Sequence, residues 1–292
     1  MTRAPLDFSA GGHRISGIAT DGGTAGTPLV IALHGGGYNC GYFDVPGHSL
    51  LDLGSAAGFP TFALDRPGYG SSDPLPEGQR TFEDSAAVLC AAIGTVWATH
   101  GENRPGVVVL AHSIGAAIAV HIAARRPDWP LRGISIHGVS DRSPDYIVDT
   151  WQNLPASGPV ELAPEQLRGL LYGPERTVDV DVVELAKASI EPVCREEMLE
   201  IVGNWPEDVA KLAASVVVPV QYTLADHDGL WIVDKGRVAN FAGHFTSAPW
   251  VDAKLQADAG HNLDHHRLSR ALHLRQFAFA SECATRTSAV DD

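Results

Sequence analysis

The 292-residue chain is 45% apolar and 19% charged, a globular composition long enough for one large α/β domain or two smaller ones. Its 21 basic and 35 acidic residues give a formal net charge of −14, which repels phosphate backbones and anionic membrane surfaces and argues against nucleic acid or membrane as a partner. Cys40, Cys90, Cys194 and Cys283 are scattered without a CxxC pair, Met1–Ala10 has no apolar leader, and no spanning apolar run occurs, so a cytoplasmic protein with reduced thiols is expected.

In chain order, Leu6–Ser9 and His13–Ile18 flank Gly11-Gly12 and read as a hairpin. Buried-strand candidates follow at Leu29–Leu33, Thr61–Leu64, Val107–Leu110, Ile134–Ile136, Val216–Leu224 and Trp250–Leu255. Helix candidates lie between and after them at His48–Ala57, Phe82–Thr99, Ile114–Arg126, Val233–Phe241 and Leu263–Ala280. Continuous apolar strands alternating with helices predict a mostly parallel, doubly wound α/β sheet covered on both faces. The rhythm breaks over 140–215, a proline-rich stretch with amphipathic pieces at Asp181–Ser189 and Arg195–Val202. It is expected to be a helical cap inserted into a core made of 1–139 and 216–292. The insert holds 15 acidic and 6 basic residues, about −9 of the total charge, which reads first as a solvated helical surface.

The most informative stretch is Val107–Ala117, in which an apolar strand runs into Ser113 and a helix follows at once. That is the context of a nucleophile elbow, a sharp strand-to-helix turn that presents a serine hydroxyl above the sheet. Small residues are needed two before and two after the serine, and Ala111 and Gly115 occupy those positions. His34-Gly35-Gly36-Gly37 directly follows an earlier strand, where backbone N–H groups can approach a substrate oxygen. Gly36 and the N–H of Ile114, at the positive end of its helix, are the candidate oxyanion-hole donors.

With these stretches in order, the chain resembles the α/β-hydrolase superfamily over nearly its whole length. After the His34–Gly37 turn come Asp65-Arg66-Pro67-Gly68-Tyr69-Gly70-Ser71-Ser72, the elbow at Ser113, the insert, Val218-Pro219-Val220, Ala225–Asp228 and Ala259-Gly260-His261. The resemblance implies a Ser–Asp–His triad in that chain order. The family's Gly-x-x-Asp pattern places Ala225 on the glycine and Asp228 on the acid, with Asp226 as the alternative, and His261 as the base. Ala111 and Ala225 both depart from glycine in the family pattern, and Asp65 is implied to be structural. His112 occupies a variable motif position and reads as a packing residue, while His265 and His266 are expected on the following helix. His261, Asp264 and His265 could imitate a metal cluster, but HExxH and a separate third ligand are missing, so no metal site is expected.

The implied activity is cofactor-free serine hydrolysis of a small-molecule carboxylic ester, thioester or lactone. The same triad also serves carbon–carbon bond hydrolysis and perhydrolysis, and a receptor on this fold that no longer turns over is the alternative of another class. Ser113 argues against epoxide hydrolases and haloalkane dehalogenases, which carry aspartate there. Trp151, Leu154, Leu170, Leu171, Tyr172, Met198 and Trp205 are available to line an apolar cleft under the cap. The acidic cap predicts that neutral or cationic small esters and lactones are better substrates than thioesters of coenzyme A or of an acidic carrier protein.

Overall fold

Gly11 and Gly12, both with positive φ (58° and 84°), close a two-residue turn between β1 (Arg3–Ala10) and β2 (His13–Thr20). Two successive left-handed residues match the twist of paired antiparallel strands, and glycine adopts them without strain. In the computed structural model, which describes residues 2–286 except Asp21, 156–159 and 161–163, this hairpin edges an eight-stranded sheet. Met1 and those insert positions, with the expectations that fall on them, lie outside the described residues.

The remaining strands are β3 (Leu29–Leu33), β4 (Thr61–Leu64), β5 (Val107–His112), β6 (Leu131–His137), β7 (Val220–Ala225) and β8 (Val251–Gln256). Their order is β1-β2-β4-β3-β5-β6-β7-β8, and every pairing from β4 to β8 is parallel. Period-two alternation divides the central strands between two cores. Ile31, Leu33, Val107, Val109 and Ile134 face one cluster, and Val30, Ala32, Val108 and Leu110 face the other. Of the helices, α1 (Leu50–Ala56) is capped by Ser49, and α2 (Phe82–His100) starts with a Thr81–Asp84 capping box. α3 (Ile114–Ala124) is buried almost all round.

Between β6 and β7 the chain forms α4 (Asp145–Gln152), α5 (Pro164–Tyr172), α6 (Val182–Ala186), α7 (Arg195–Val202) and α8 (Asn204–Ala214). α9 (Lys235–Ala242) and α10 (Ser269–Thr285) complete the described helices. No described helix is long and apolar enough to cross a membrane.

Two expectations need correction. β8 is an edge strand whose Asp252, Ala253 and Lys254 are exposed, so it is not doubly covered. The last helix starts at Ser269, because Leu263–His265 forms only a short 3-10 turn and His266 leaves it in extended conformation. The buried His265 and His266 precede α10, and their rings bond backbone groups instead. His265 Nε2 lies 2.9 Å from the Tyr42 carbonyl, and the N–H of Gly260 donates to His266 Nε2 at 2.9 Å.

Candidate active site

β5 delivers the chain to Ser113, and α3 begins at the next residue. Ser113 has φ 54° and ψ −121°, a sparsely populated conformation for a non-glycine residue that the surroundings must enforce. Its N–H donates to the His137 carbonyl at 2.9 Å, tying the turn to the end of β6. Gly115 leaves room for the backbone of β3, since a Cβ there would stand 2.4 Å from the Leu33 carbonyl oxygen. Ala111 causes no such conflict. It sits in regular strand register between Leu33 and Ile136, fully buried.

The structure brings Ser113, His261 and Asp228 together. Ser113 Oγ is 2.9 Å from His261 Nε2, and His261 Nδ1 is 2.8 Å from Asp228 Oδ2. A carboxylate only accepts, so Nδ1 carries the ring proton and Nε2 is free to accept from the serine hydroxyl. Asp228 is buried, and its Oδ1 accepts the N–H of Leu230 at 2.9 Å. Asp226 is turned elsewhere, accepting the N–H groups of Asp258 and Ala259 at 3.1 and 3.2 Å. It closes the loop that carries His261 but does not touch the histidine's ring nitrogens.

The His34–Gly37 turn approaches the elbow from β3. The N–H of Arg66 donates to His34 Nε2 at 3.0 Å, so His34 Nδ1 carries the proton and donates to the Gly35 carbonyl at 2.9 Å. Burial and the nearby Arg66 charge hold His34 well below the usual imidazole range. Arg66 also donates Nη2 to the Gly35 carbonyl at 3.1 Å, and its buried guanidinium pairs with Glu197 of α7. Among the described residues, no protein acceptor pairs with the N–H of Gly36 or of Ile114, the latter at the open start of α3. A tetrahedral oxyanion beside Ser113 could take both.

Ser113, His261, Gly36 and Ile114 line one pocket that opens to solvent. Its walls are mostly apolar. Trp151, Leu170, Leu171 and Met198 line it as expected, and Ile147, Ile190, Val193 and Ile201 join them from the insert. Leu230 and Trp231 come from the loop after Asp228, which sequence reasoning missed. Leu154, Tyr172 and Trp205 do not line it. Trp205 is buried in the core with Nε1 donating to the Ser140 carbonyl at 2.8 Å, and Tyr172 packs in the second core. Among the described residues, Glu191 is the only acidic one in the lining, which includes no lysine or arginine.

His112 stacks on Tyr42 with ring centroids 4.6 Å apart, and its Nε2 lies 3.1 Å from the His261 carbonyl. Burial pushes it far down, so it is a neutral packing residue that also holds the backbone of His261. Behind it lies a cluster that the sequence did not suggest. Asp264 accepts from Tyr42 at 2.9 Å and sits 2.6 Å from His137 Nε2 and 2.9 Å from His273 Nε2. Full burial by itself would raise the Asp264 carboxyl, but the histidines, above all His137, hold it well below its ordinary range. Asp264 thus joins the ends of β6 and α10, and not His261 and His265. Among the described residues, no group of three or more His, Cys, Asp or Glu is disposed to hold a metal ion.

A profile of the alpha/beta hydrolase family matches residues 30–276, and the chain belongs to that family. It is 33% identical over 109 residues to the mouse (Mus musculus) monoglyceride lipase, a match covering 36% of this chain and 33% of the lipase. It is 32% identical over 143 residues to the pimeloyl-[acyl-carrier protein] methyl ester esterase of Chromobacterium violaceum, covering 49% of this chain and 48% of the esterase. These matches span less than half of either relative. Among solved structures, a thermophilic esterase from Thermogutta terrifontis superposes with a TM-score of 0.68 at 18% identity, over 98% of this chain and 100% of that one. At that identity the likeness concerns the fold.

Proposed function

We propose that the protein is a serine hydrolase that cleaves neutral, largely apolar esters of small molecules through an acyl-Ser113 intermediate. The observation that carries the reading is the Ser113–His261–Asp228 relay at the wall of an apolar pocket. His261 Nε2 takes the hydroxyl proton as Ser113 Oγ attacks the acyl carbon, and Asp228 steadies the imidazolium. The N–H groups of Gly36 and Ile114 hold the oxyanion of the tetrahedral intermediate. Collapse expels the alcohol, which receives the proton from His261, and water repeats the sequence to release the acid and regenerate the serine.

The 140–215 insert serves as a cap on a core of 1–139 and 216–292, supplying most of the apolar lining. The names of both sequence relatives describe ester chemistry, which supports a carboxylic ester ahead of a thioester or lactone. The carrier protein in the second name is not carried over. An acidic cap and a described lining without cations disfavour an acidic partner. Four free cysteines suit a cytoplasmic enzyme.

The test is a panel of p-nitrophenyl esters of increasing acyl length, together with fluorophosphonate labelling, on wild type and Ser113→Ala. Turnover and labelling should both vanish in the variant. Turnover that survives the loss of the hydroxyl would overturn the reading.

A further inference from the structure

One stretch of the insert, Ser189–Glu197, makes three separate attachments to the turn that carries Gly36 and to the residues around it. The first is backbone pairing. The N–H of Glu191 donates to the Gly37 carbonyl at 2.8 Å, and the N–H of Asn39 donates to the Ser189 carbonyl at 2.9 Å. The second is the Glu191 carboxylate, which accepts from Asn39 Nδ2 at 2.7 Å and from the N–H of Gly70 at 3.1 Å. The third is Glu197. Its buried carboxylate holds both terminal nitrogens of Arg66 and accepts the Tyr69 hydroxyl at 2.7 Å.

Arg66 passes this attachment to the turn, through its N–H to His34 Nε2 and its Nη2 to the Gly35 carbonyl. The guanidinium is fully buried and lies 4.6 Å over the Tyr69 ring, and its Nε has no partner among the described residues. A buried cation stays in place only while a counter-charge holds it, and removing one partner leaves an uncompensated charge that must move or draw in water. The Gly35–Gly36 peptide would move with it. The residue after Glu197 also borders this peptide, since a Cβ on Gly36 would come within 3.1 Å of the Met198 methyl.

We propose that Glu197 is a positioning residue which, acting through Arg66, sets the placement of the Gly36 oxyanion donor, so that the seating of the insert controls the chemical step. This rests on the acyl-Ser113 reading above. The simpler role for such a pair is to fasten the insert to the core, and the two differ in what they do to kcat.

The experiment compares wild type, Ser113→Ala, Glu197→Gln, Glu197→Asp and the double variant Arg66→Met/Glu197→Met. Each is tested on p-nitrophenyl acetate and p-nitrophenyl hexanoate, for the rate of fluorophosphonate labelling, and for Tm, with kinetics read well below each melting point. Loss of one whole oxyanion donor costs about 100–1000-fold. Misplacement in Glu197→Gln should lower kcat and the labelling rate about 10–100-fold on both esters, with KM within about 3-fold. Glu197→Asp should recover part of the loss. The double variant has no unpaired buried charge and should fold, yet it should keep the kcat defect because a thioether side chain has no N–H to hold the Gly35 carbonyl. A kcat and labelling rate within about 3-fold of wild type in Glu197→Gln or in the double variant would overturn the proposal. If Ser113→Ala itself retains turnover, the acyl-serine reading fails. If Ser113→Ala is dead and Glu197→Gln is not, only the positioning role fails.

Discussion

Gly115→Ala adds one methyl group at the most crowded point of the elbow. Its carbon would stand 2.4 Å from the Leu33 carbonyl oxygen and 2.5 Å from that of His34, both backbone atoms that cannot rotate away. Carbon and carbonyl oxygen rest at about 3.3–3.6 Å, so the start of α3 must withdraw about 0.9 Å from β3. Ser113 and Ile114 ride on that turn. A retreat of this size is comparable to what separates the 2.9 Å Ser113–His261 contact from no hydrogen bond at all. Misplacement of about 1 Å near the reacting atoms can cost about 100-fold, so kcat should fall by roughly that factor. Alanine favours a helix interior by about 1 kcal/mol over glycine, so a net loss of stability would report the clash itself. Overpacking of this kind costs about 1–3 kcal/mol, and Tm should fall by several degrees. Steady-state ester hydrolysis, fluorophosphonate labelling and a thermal melt read the three effects. A variant with unchanged Tm and kcat within about 3-fold of wild type would refute the reasoning that this contact holds the elbow.

Asp228→Asn should cost kcat about 1000-fold or more by spoiling the imidazole tautomer. Asp226→Asn should keep most activity and mainly lower Tm, and the reverse pattern in paired kinetics would exchange the two roles. Glu200 on α7 is pushed up to about 7, chiefly by burial, with its carboxylate accepting the N–H of Phe82 at 2.9 Å. The folded state therefore holds this proton more tightly than the unfolded chain. Stability falls as pH rises from about 4.5 through 7 and is level above. Glu200→Gln should accordingly raise Tm at pH 8 by an amount worth about 1 kcal/mol, after discounting for partial exposure, and change it little at pH 5. Met198→Ala and Ile201→Ala should shift acyl-length preference across the ester panel while Leu154→Ala does not. For matched acyl groups, kcat/KM should be higher on a neutral thiol than on coenzyme A, and a coenzyme A preference that weakens with salt would reveal a basic patch.

The core strands were legible because a sheet covered on both faces demands continuous apolar runs, as in Leu29–Leu33 and Val107–Leu110. That Ser113, Asp228 and His261 meet was legible because the elbow is a local motif and the family resemblance implies where the acid and the histidine follow it. Other features depend on segments far apart in the chain, which local pattern does not encode. Trp205 and Met198 look alike in an amphipathic insert, both pack into the core, and only packing decides that Met198 also borders the pocket. The Arg66–Glu197 pair joins residues 131 apart, and His137–Asp264 joins residues 127 apart. The false start of α10 has a local cause. Leu263–His265 has helical periodicity, but Asp264, His265 and His266 spend their side chains on backbone groups and buried partners that a regular helix would not reach.

The chain order of these parts also bears on when the protein acquires its reactivity. Ser113 and its strained turn precede His261, the ring that Ser113 Oγ meets, by 148 residues, with the insert and β7 between them. The elbow's own anchors, β3, β5 and the carbonyl of His137, are complete well before that. A chain ending short of residue 261 would lack the ring that Ser113 Oγ meets, so on the acyl-serine reading it should neither hydrolyse esters nor take a fluorophosphonate label. On that reading, the onset of fluorophosphonate labelling during refolding would report the docking of the segment that bears His261.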